Sequence, residues 1–481
     1  MIPMSLAQVC AAVDGTLHLD PEARLDASVE HHRANPEQLA GQLIIDGPVQ
    51  TDSRACEPGS LYVARIGEHA DGHDFVGSAS AQGAVAALVS RPVPELPCIV
   101  VDDVQLAFGR LARAVLDLAE NLTVVAITGS SGKTSTKDLL AQVLAGANPA
   151  DVVAPENSLN GEIGVPLTVC RIQPDTRFLV AEMGARGVGH IAYLTDIAPP
   201  RISVVLNVGT AHLGEFGSVE NIAVAKGEIV EALPADGLAV LNADDPVVSA
   251  MAARTRARVQ RVGLAEDADL RATDVDLAAT GRASFTVHTP DGRSAPVNLR
   301  LRGAHHVGNA LSVIAVALEL GLDLTEIAAR LGTVEAISRW RMQVTERPDG
   351  VTVINDAYNA NPDSMRAALV ALSAMSGARR SWAVLGSMLE LGESSEADHR
   401  RVGELAVELG VHRLLVVGEA AAAIADGAAG GGAQVRTVAD ADAAAAVLDA
   451  ELAAGDIVLF KSSRDAGLRH LGDRVAEAGA R

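Results

Sequence analysis

The chain has 481 residues, 48% of them hydrophobic and 2% aromatic, with a formal net charge of −22. Its length suggests about three domains, and its apolar content can fill their cores, which excludes wholesale disorder. The acidic balance and scarcity of aromatic rings argue against nucleic-acid binding, which needs a basic footprint and stacking platforms.

Residues 1–103 mix short strand-like runs (LIIDG, SLYVARIG, AVAALVS, PCIVVDD) with turn signals and a helical stretch around 75–83. Residues 104–119 carry helical periodicity and bridge to the next segment. The N-terminus lacks the basic and long apolar regions of a signal peptide, and no apolar run reaches the ~18 residues of a membrane span. A soluble cytoplasmic protein without membrane insertion is expected. Cys10, Cys56, Cys98 and Cys170 have no CxxC spacing and read as reduced, mostly buried thiols.

From 120 to about 336, buried strands alternate with helices: TVVAIT (123–128), RFLVAEMG (177–184), ISVVLNVG (202–209), the helix VENIAVAKGEIVEAL (219–233) and GLAVLNADDP. The alternation predicts a mostly parallel sheet with helices on both faces. Residues 265–300 are more polar and predict a small antiparallel excursion, after which a helix begins near Val307. In the last third, VTVIND, SWAVLGS, RLLVVG, AQVRTV and DIVLFKSS each precede a helical segment, the proportions of a small Rossmann-like domain. The fold class is therefore α/β in three domains, 1–103, 104–336 and 337–481.

The strongest chemical signal is AITGSSGKTST. A strand that ends in a Gly-rich loop opening a helix offers backbone N–H groups and a helix N-terminus to an anion. Lys133 can reach β- and γ-phosphates and the Thr134 hydroxyl can ligate Mg²⁺. The loop departs from GxxxxGK[ST], since Ile127 stands five before Gly132. Glu182, at the end of its strand, and His212, in the loop after strand 202–208, are candidate metal ligands because ligands bind beyond the carboxyl ends of such strands.

Only four of the 39 basic residues are lysines: Lys133, Lys137, Lys226 and Lys461. Where arginine serves most cationic needs, a retained lysine marks a place that needs a compact amine. Lys226, between Ala225 and Gly227 on a helix, is a candidate for reaction with CO₂, the carbamate turning a cation into an oxygen donor. The bland alternatives are a surface lysine for Lys226, chance for Lys137, and a solvated loop before a helix for Lys461 and Arg464.

Together these segments resemble the Mur ligases, ATP-dependent amide-forming enzymes of peptidoglycan precursor synthesis, over essentially the whole chain. The resemblance implies an N-terminal α/β uridine-nucleotide-binding domain, a central P-loop ATPase-like domain and a C-terminal Rossmann-like domain. It implies ATP contacts from Thr128, Gly129, Ser130, Ser131, Gly132, Lys133, Thr134 and Ser135, with Asn309 on adenine and Arg341 and Asp356 closing over the nucleotide. Thr134, Glu182, His212 and Lys226 as its carbamate correspond to Mg²⁺ ligands, and Lys133, Lys226, His212 and Glu182 to the catalytic set.

The blocks DAYNANPDSM, NVGTAHLGEFGS and VLGSMLELGE look like those of the family member that adds D-alanyl-D-alanine to UDP-N-acetylmuramoyl-tripeptide, through an acyl phosphate. No DNPR-type motif of the third-residue ligase is found. The implied substrate contacts are Ser53, Arg54, Asp71, Gly72 and His73 near the N-terminus, Asn160, Asn359 and Asn361, and Lys461 with Arg464. A monomer is expected. The alternative is another Mur-type amide ligase or a folylpolyglutamate synthase-like enzyme. Two places depart from the family pattern: Ser158 and Gly161 replace asparagines beside Asn160, and Ser462 replaces a glycine in the KGSR-like motif, where a positive φ would strain it.

Overall fold

The computed structural model describes residues 1–25, 29–146, 148–210 and 213–478. The fold is α/β, with several largely parallel sheets. Two compact units are resolved: residues 1–126, 147–183 and 192–201 form the first, and 127–146, 184–191 and 202–481 the second.

The first unit holds a five-stranded sheet in the order Thr16–His18, Cys98–Val100, Ala86–Val89, Leu61–Val63, Val49–Gln50, parallel except at Thr16–His18. The expected runs are present, but their strands are shorter than the apolar stretches that predicted them. Tyr62, Ala87, Val89 and Cys98 pack with Val76 and Ala79 of the helix Val76–Gln82. The helix Val104–Asp117 follows, capped by Asp103.

In the second unit, the strand Ile202–Val205 pairs in parallel with Leu238–Asn242, which pairs in turn with Arg258–Gly263. The excursion is larger than the sequence suggested. Leu270–Leu277, Arg282–His288 and Ser294–Arg302 are antiparallel strands of 8, 7 and 9 residues. Their alternating burial leaves one face wet, and the other packs on the helices His306–Glu319 and Leu324–Leu331.

The last third forms a six-stranded sheet in the order Gln343–Glu346, Thr352–Asn355, Ile457–Lys461, Ser381–Leu385, Arg413–Val417, Gln434–Val438. Alternate residues of its central strands enter two separate cores: Ile354, Leu385 and Leu459 on one face, Val353, Val384, Val458 and Phe460 on the other. Burial on both faces is why these strands read as continuous apolar runs. The edge strand Gln343–Glu346, antiparallel to its neighbour, escaped the sequence reading because QVTE is only half-buried. Among the described residues no helix is long and apolar enough to cross a membrane.

Candidate active site

The phosphate loop leaves the strand Thr123–Thr128 and enters the helix Lys133–Ala145 at Gly132. Gly132 has φ 81°, and a Cβ there would lie 2.9 Å from Asn309 Oδ1, so both backbone and space require glycine. No side chain caps this helix, which leaves its first turn as an anion site. Asn207 cross-braces the loop: its Oδ1 accepts from Ser131 N at 2.9 Å and its Nδ2 donates to Ser131 O at 3.2 Å. Ser130 N donates to Asn207 O, and Gly209 N to Ser130 Oγ. Lys133 Nζ folds back to Gly129 O at 2.7 Å. Thr128 and Thr134 are buried, and Ser135 is partly exposed. Asn309 is buried beside His306, Nδ2 to Nδ1 at 3.4 Å.

Lys226 lies on the helix Val219–Glu231 and is only 4% exposed, so it is no surface lysine. Burial, and secondarily the charge of Lys133, push its amine well below the usual lysine range. The neutral amine is the form that attacks CO₂. The adjacent Gly227 is steric: a Cβ would meet Arg254 Nη1 at 1.8 Å, where that guanidinium caps Ala223 O and Val224 O.

In the first unit, Glu182 ends the strand Phe178–Glu182, is 1% exposed and accepts from Asn160 Nδ2 at 2.7 Å. Gly164 in the same motif is required by close approach, since a Cβ would lie 2.4 Å from Leu159 C. Gly161 faces open space, so losing the asparagine there removes a polar group without relieving a clash. His212 lies outside the described residues. Among those that are described, no cluster of three or more His, Cys, Asp or Glu could hold a metal. Taken separately, the Thr134 hydroxyl of the second unit and the Glu182 carboxylate of the first are hard oxygen donors of the type that suits Mg²⁺. Lys226 becomes an oxygen donor only as a carbamate, after losing its positive charge.

The C-terminal candidates meet at the carboxyl ends of neighbouring strands, where open α/β sheets bind ligands. Lys461 is 2% exposed, which excludes the solvated-loop reading for it. Its Nζ reaches Asp356 Oδ2 at 2.6 Å and Asn359 O at 3.1 Å. Burial lowers its pKa against the opposing pull of Asp356. Asp356 Oδ1 accepts from Met342 N at 3.0 Å. Arg341 sits between Trp340 (φ 60°) and Met342 (φ 49°), two left-handed non-glycine residues of the kind that gather at functional sites. Its guanidinium lies 4.4 Å from the Tyr358 ring centroid, and Nη2 donates to Thr134 Oγ1 at 3.4 Å. Arg464 is exposed, 5.9 Å from the same ring. Asn361 is committed to capping the helix Pro362–Ser376 through Ser364 N at 2.8 Å. Ser462 is absent from the positive-φ residues, so replacing glycine there imposes no backbone strain.

In the first unit, Ser53 is buried at the start of a 3₁₀ turn, while Arg54 pairs with Asp52 at 2.7 Å and is largely exposed. Asp71 Oδ1 accepts from His73 N at 3.0 Å and meets His73 Nδ1 at 2.6 Å; its Oδ2 accepts from Arg91 at 2.9 Å. Ser90 N donates to His73 Nε2 at 3.0 Å, which assigns the neutral ring's proton to Nδ1. Gly72 is required because a Cβ would lie 2.6 Å from Arg65 O.

The sequence reading passed over Asn207, Tyr358, Asp138 and Asp363. Asn207, Tyr358 and Asp363 lie inside motifs it quoted. Asp363 is exposed, yet neighbouring protein raises its pKa chiefly by desolvation; it lies against Gly209 and accepts from the Thr210 backbone.

Residues 48–121 match the Mur ligase family catalytic domain, 127–317 the Mur ligase middle domain and 340–464 the Mur ligase glutamate ligase domain. The UDP-N-acetylmuramoyl-tripeptide–D-alanyl-D-alanine ligase of Mycobacterium tuberculosis is 47% identical over 99% of this chain and 98% of its own. The enzyme of the same name from Escherichia coli is 40% identical over 80% and 84%. The crystal structure of MurF from Acinetobacter baumannii superposes with TM-score 0.85 at 31% identity, covering 99% of each chain. MurF ligase from Thermotoga maritima in complex with ADP gives 0.78 at 29%, covering 91% and 98%.

Proposed function

The chain belongs to the Mur ligase family, and on that premise we propose how its residues divide the work of one reaction. It is an ATP-dependent ligase that joins D-alanyl-D-alanine to UDP-N-acetylmuramoyl-tripeptide in peptidoglycan precursor synthesis. The terminal carboxylate of the tripeptide attacks the γ-phosphorus of ATP, breaking its bond to the bridging oxygen and releasing ADP. The dipeptide's free amine then attacks the acyl phosphate carbonyl, and phosphate leaves as the amide forms.

Two polyanions must be brought together, so charge has to be neutralised locally in an acidic protein. Lys133 and the N-terminus of its helix serve the phosphates, and Asn309 the adenine. Thr134, Glu182, His212 and a carbamylated Lys226 would hold Mg²⁺, which supplies charge neutralisation on the transferring phosphoryl group. Arg341, Asp356 and Lys461 shield the acyl phosphate from water as the C-terminal segment closes. Ser53, Arg54, Asp71, Gly72 and His73 take the uridine nucleotide, and Asn160, Asn359 and Arg464 contact the peptide substrates, while Asn361 caps the helix that follows. Boundaries after residues 103 and 336, a monomeric state and a cytoplasmic location belong to the same reading.

The observation that best supports it is Arg341 reaching the hydroxyl of Thr134, since one phosphate group must be served from both sides. Phosphate release with UDP-N-acetylmuramoyl-tripeptide, Mg-ATP and D-alanyl-D-alanine is the expected result. Turnover with meso-diaminopimelate or lysine as acceptor, and none with the dipeptide, would contradict it.

A further inference from the structure

The phosphate-loop helix carries a second stripe. Thr134, Asp138 and Gln142 follow one another at i, i+4 and i+8, so they line one face. Each meets the linker between the helix Leu324–Leu331 and the strand Gln343–Glu346. Thr134 Oγ1 accepts from Arg341 at 3.4 Å, and Asp138 Oδ2 accepts from Ser338 N at 3.1 Å. Gln142 Nε2 donates to Glu335 O at 2.9 Å, and its Oε1 accepts from Glu335 N at 3.4 Å. The linker therefore runs antiparallel to the helix, one contact per helical turn.

Lys137 joins this track. It is 3% exposed, and its ammonium lies 2.5 Å from Asp138 Oδ1. One carboxylate oxygen thus faces Lys137 while the other receives the linker. The two oxygens of one carboxylate tie the Lys137 ion pair to the Ser338 N–H contact. Met342 N, on the far side of Arg341, is held by Asp356. Arg341 is suspended between those two anchors.

We propose that Lys137 and Asp138 are positioning residues that set the register of the linker on the phosphate-loop helix and so deliver Arg341 to the nucleotide phosphates. This rests on Arg341 closing over the nucleotide. Successive contacts on the helix are about 6 Å apart, whereas three extended residues span ~10 Å. The linker is slack between its contacts, so losing the Asp138 contact lets Arg341 drift while the chain stays connected.

The test is a double-mutant cycle between Asp138→Ala and Arg341→Ala, reading kcat and KM for ATP from phosphate release, with melting curves to confirm folding. Asp138→Ala and Lys137→Met should each lower kcat/KM for ATP roughly tenfold. Asp138→Ala should add almost nothing once Arg341 is alanine. Losses that simply add would overturn the proposal, because a role in general stability does not depend on Arg341. An Arg341→Ala enzyme with unchanged kinetics would instead defeat the nucleotide role of Arg341, and the proposal with it. If Asp138→Ala does not fold, Gln142→Ala, at the partly exposed end of the track, replaces it in the cycle. A loss that disappears once Arg341 is alanine then supports the proposal, and a loss that adds overturns it.

Discussion

Lys461 Nζ stands 2.6 Å from Asp356 Oδ2, and neither side chain is more than 13% exposed. The pair joins the ends of two adjacent strands, and through Asp356 Oδ1 it also holds the backbone of Met342 beside Arg341. A structural ion pair and the backbone next to Arg341 therefore share one carboxylate.

Removing one partner leaves the other charge buried. Lys461→Met should destabilise the protein by about 3–5 kcal/mol, read as a lower urea midpoint. The double variant Lys461→Met with Asp356→Leu should recover much of that stability while remaining inactive. Equal stability of Lys461→Met and the parent would show that Asp356 finds solvent or another partner.

Lys226→Ala should reduce turnover by on the order of 100-fold or more, the scale of losing a preorganised electrostatic contact, with partial rescue by small carboxylates. A carbamate carbon signal from ¹³CO₂ should appear in the parent and vanish in the variant. Near-normal activity of Lys226→Arg would refute the carbamate, because a guanidinium does not form one.

Gly209 gives Asp363 its room: a Cβ would lie 1.9 Å from Asp363 Oδ2. Gly209→Ala should push the exposed Asp363 carboxylate aside at a cost of about 0.5 kcal/mol or less and lower kcat by disturbing the start of the helix Pro362–Ser376. Pairing it with Asp363→Ala, which removes the displaced carboxylate, should restore kcat. A paired variant no better than Gly209→Ala would mean that the contact is not the source of the loss.

Acid should weaken the protein through Asp71. The backbone N–H of His73, then its ring, and Arg91 draw this carboxyl down to about 2. A folded-state pKa below the unfolded value contributes stability that is fully present above about pH 4 and is lost as pH falls through the folded value. Asp71→Asn should flatten the decline of guanidinium midpoints between about pH 4 and pH 2. Asp52, drawn to about 2 by Arg54, titrates in the same window and remains in both proteins.

The parallel strands were legible because burial on both faces writes them as unbroken apolar runs, and the phosphate loop because glycine and lysine follow such a run directly. The burial of Lys137 was not. A lysine beside an aspartate on a helix ordinarily faces water, and the residue that binds its partner Asp138 stands 200 positions further along the chain. Asn207 was missed for the same reason, since its bracing of Ser131 spans 76 residues. Asn361 was read as a substrate contact, and its capping bond to Ser364 follows a local rule that was visible in N-P-D-S.

The scarcity of lysine has a practical consequence for amine chemistry. Lys137, Lys226 and Lys461 are all buried, and Lys133 alone among the four is partly open. An acylating reagent would therefore find one accessible lysine on the whole molecule, and it stands in the phosphate loop. Labelling of that single amine, and its protection by ATP, would report nucleotide occupancy without any engineered tag. Lysine-directed cross-linkers would leave the rest of the surface unmapped.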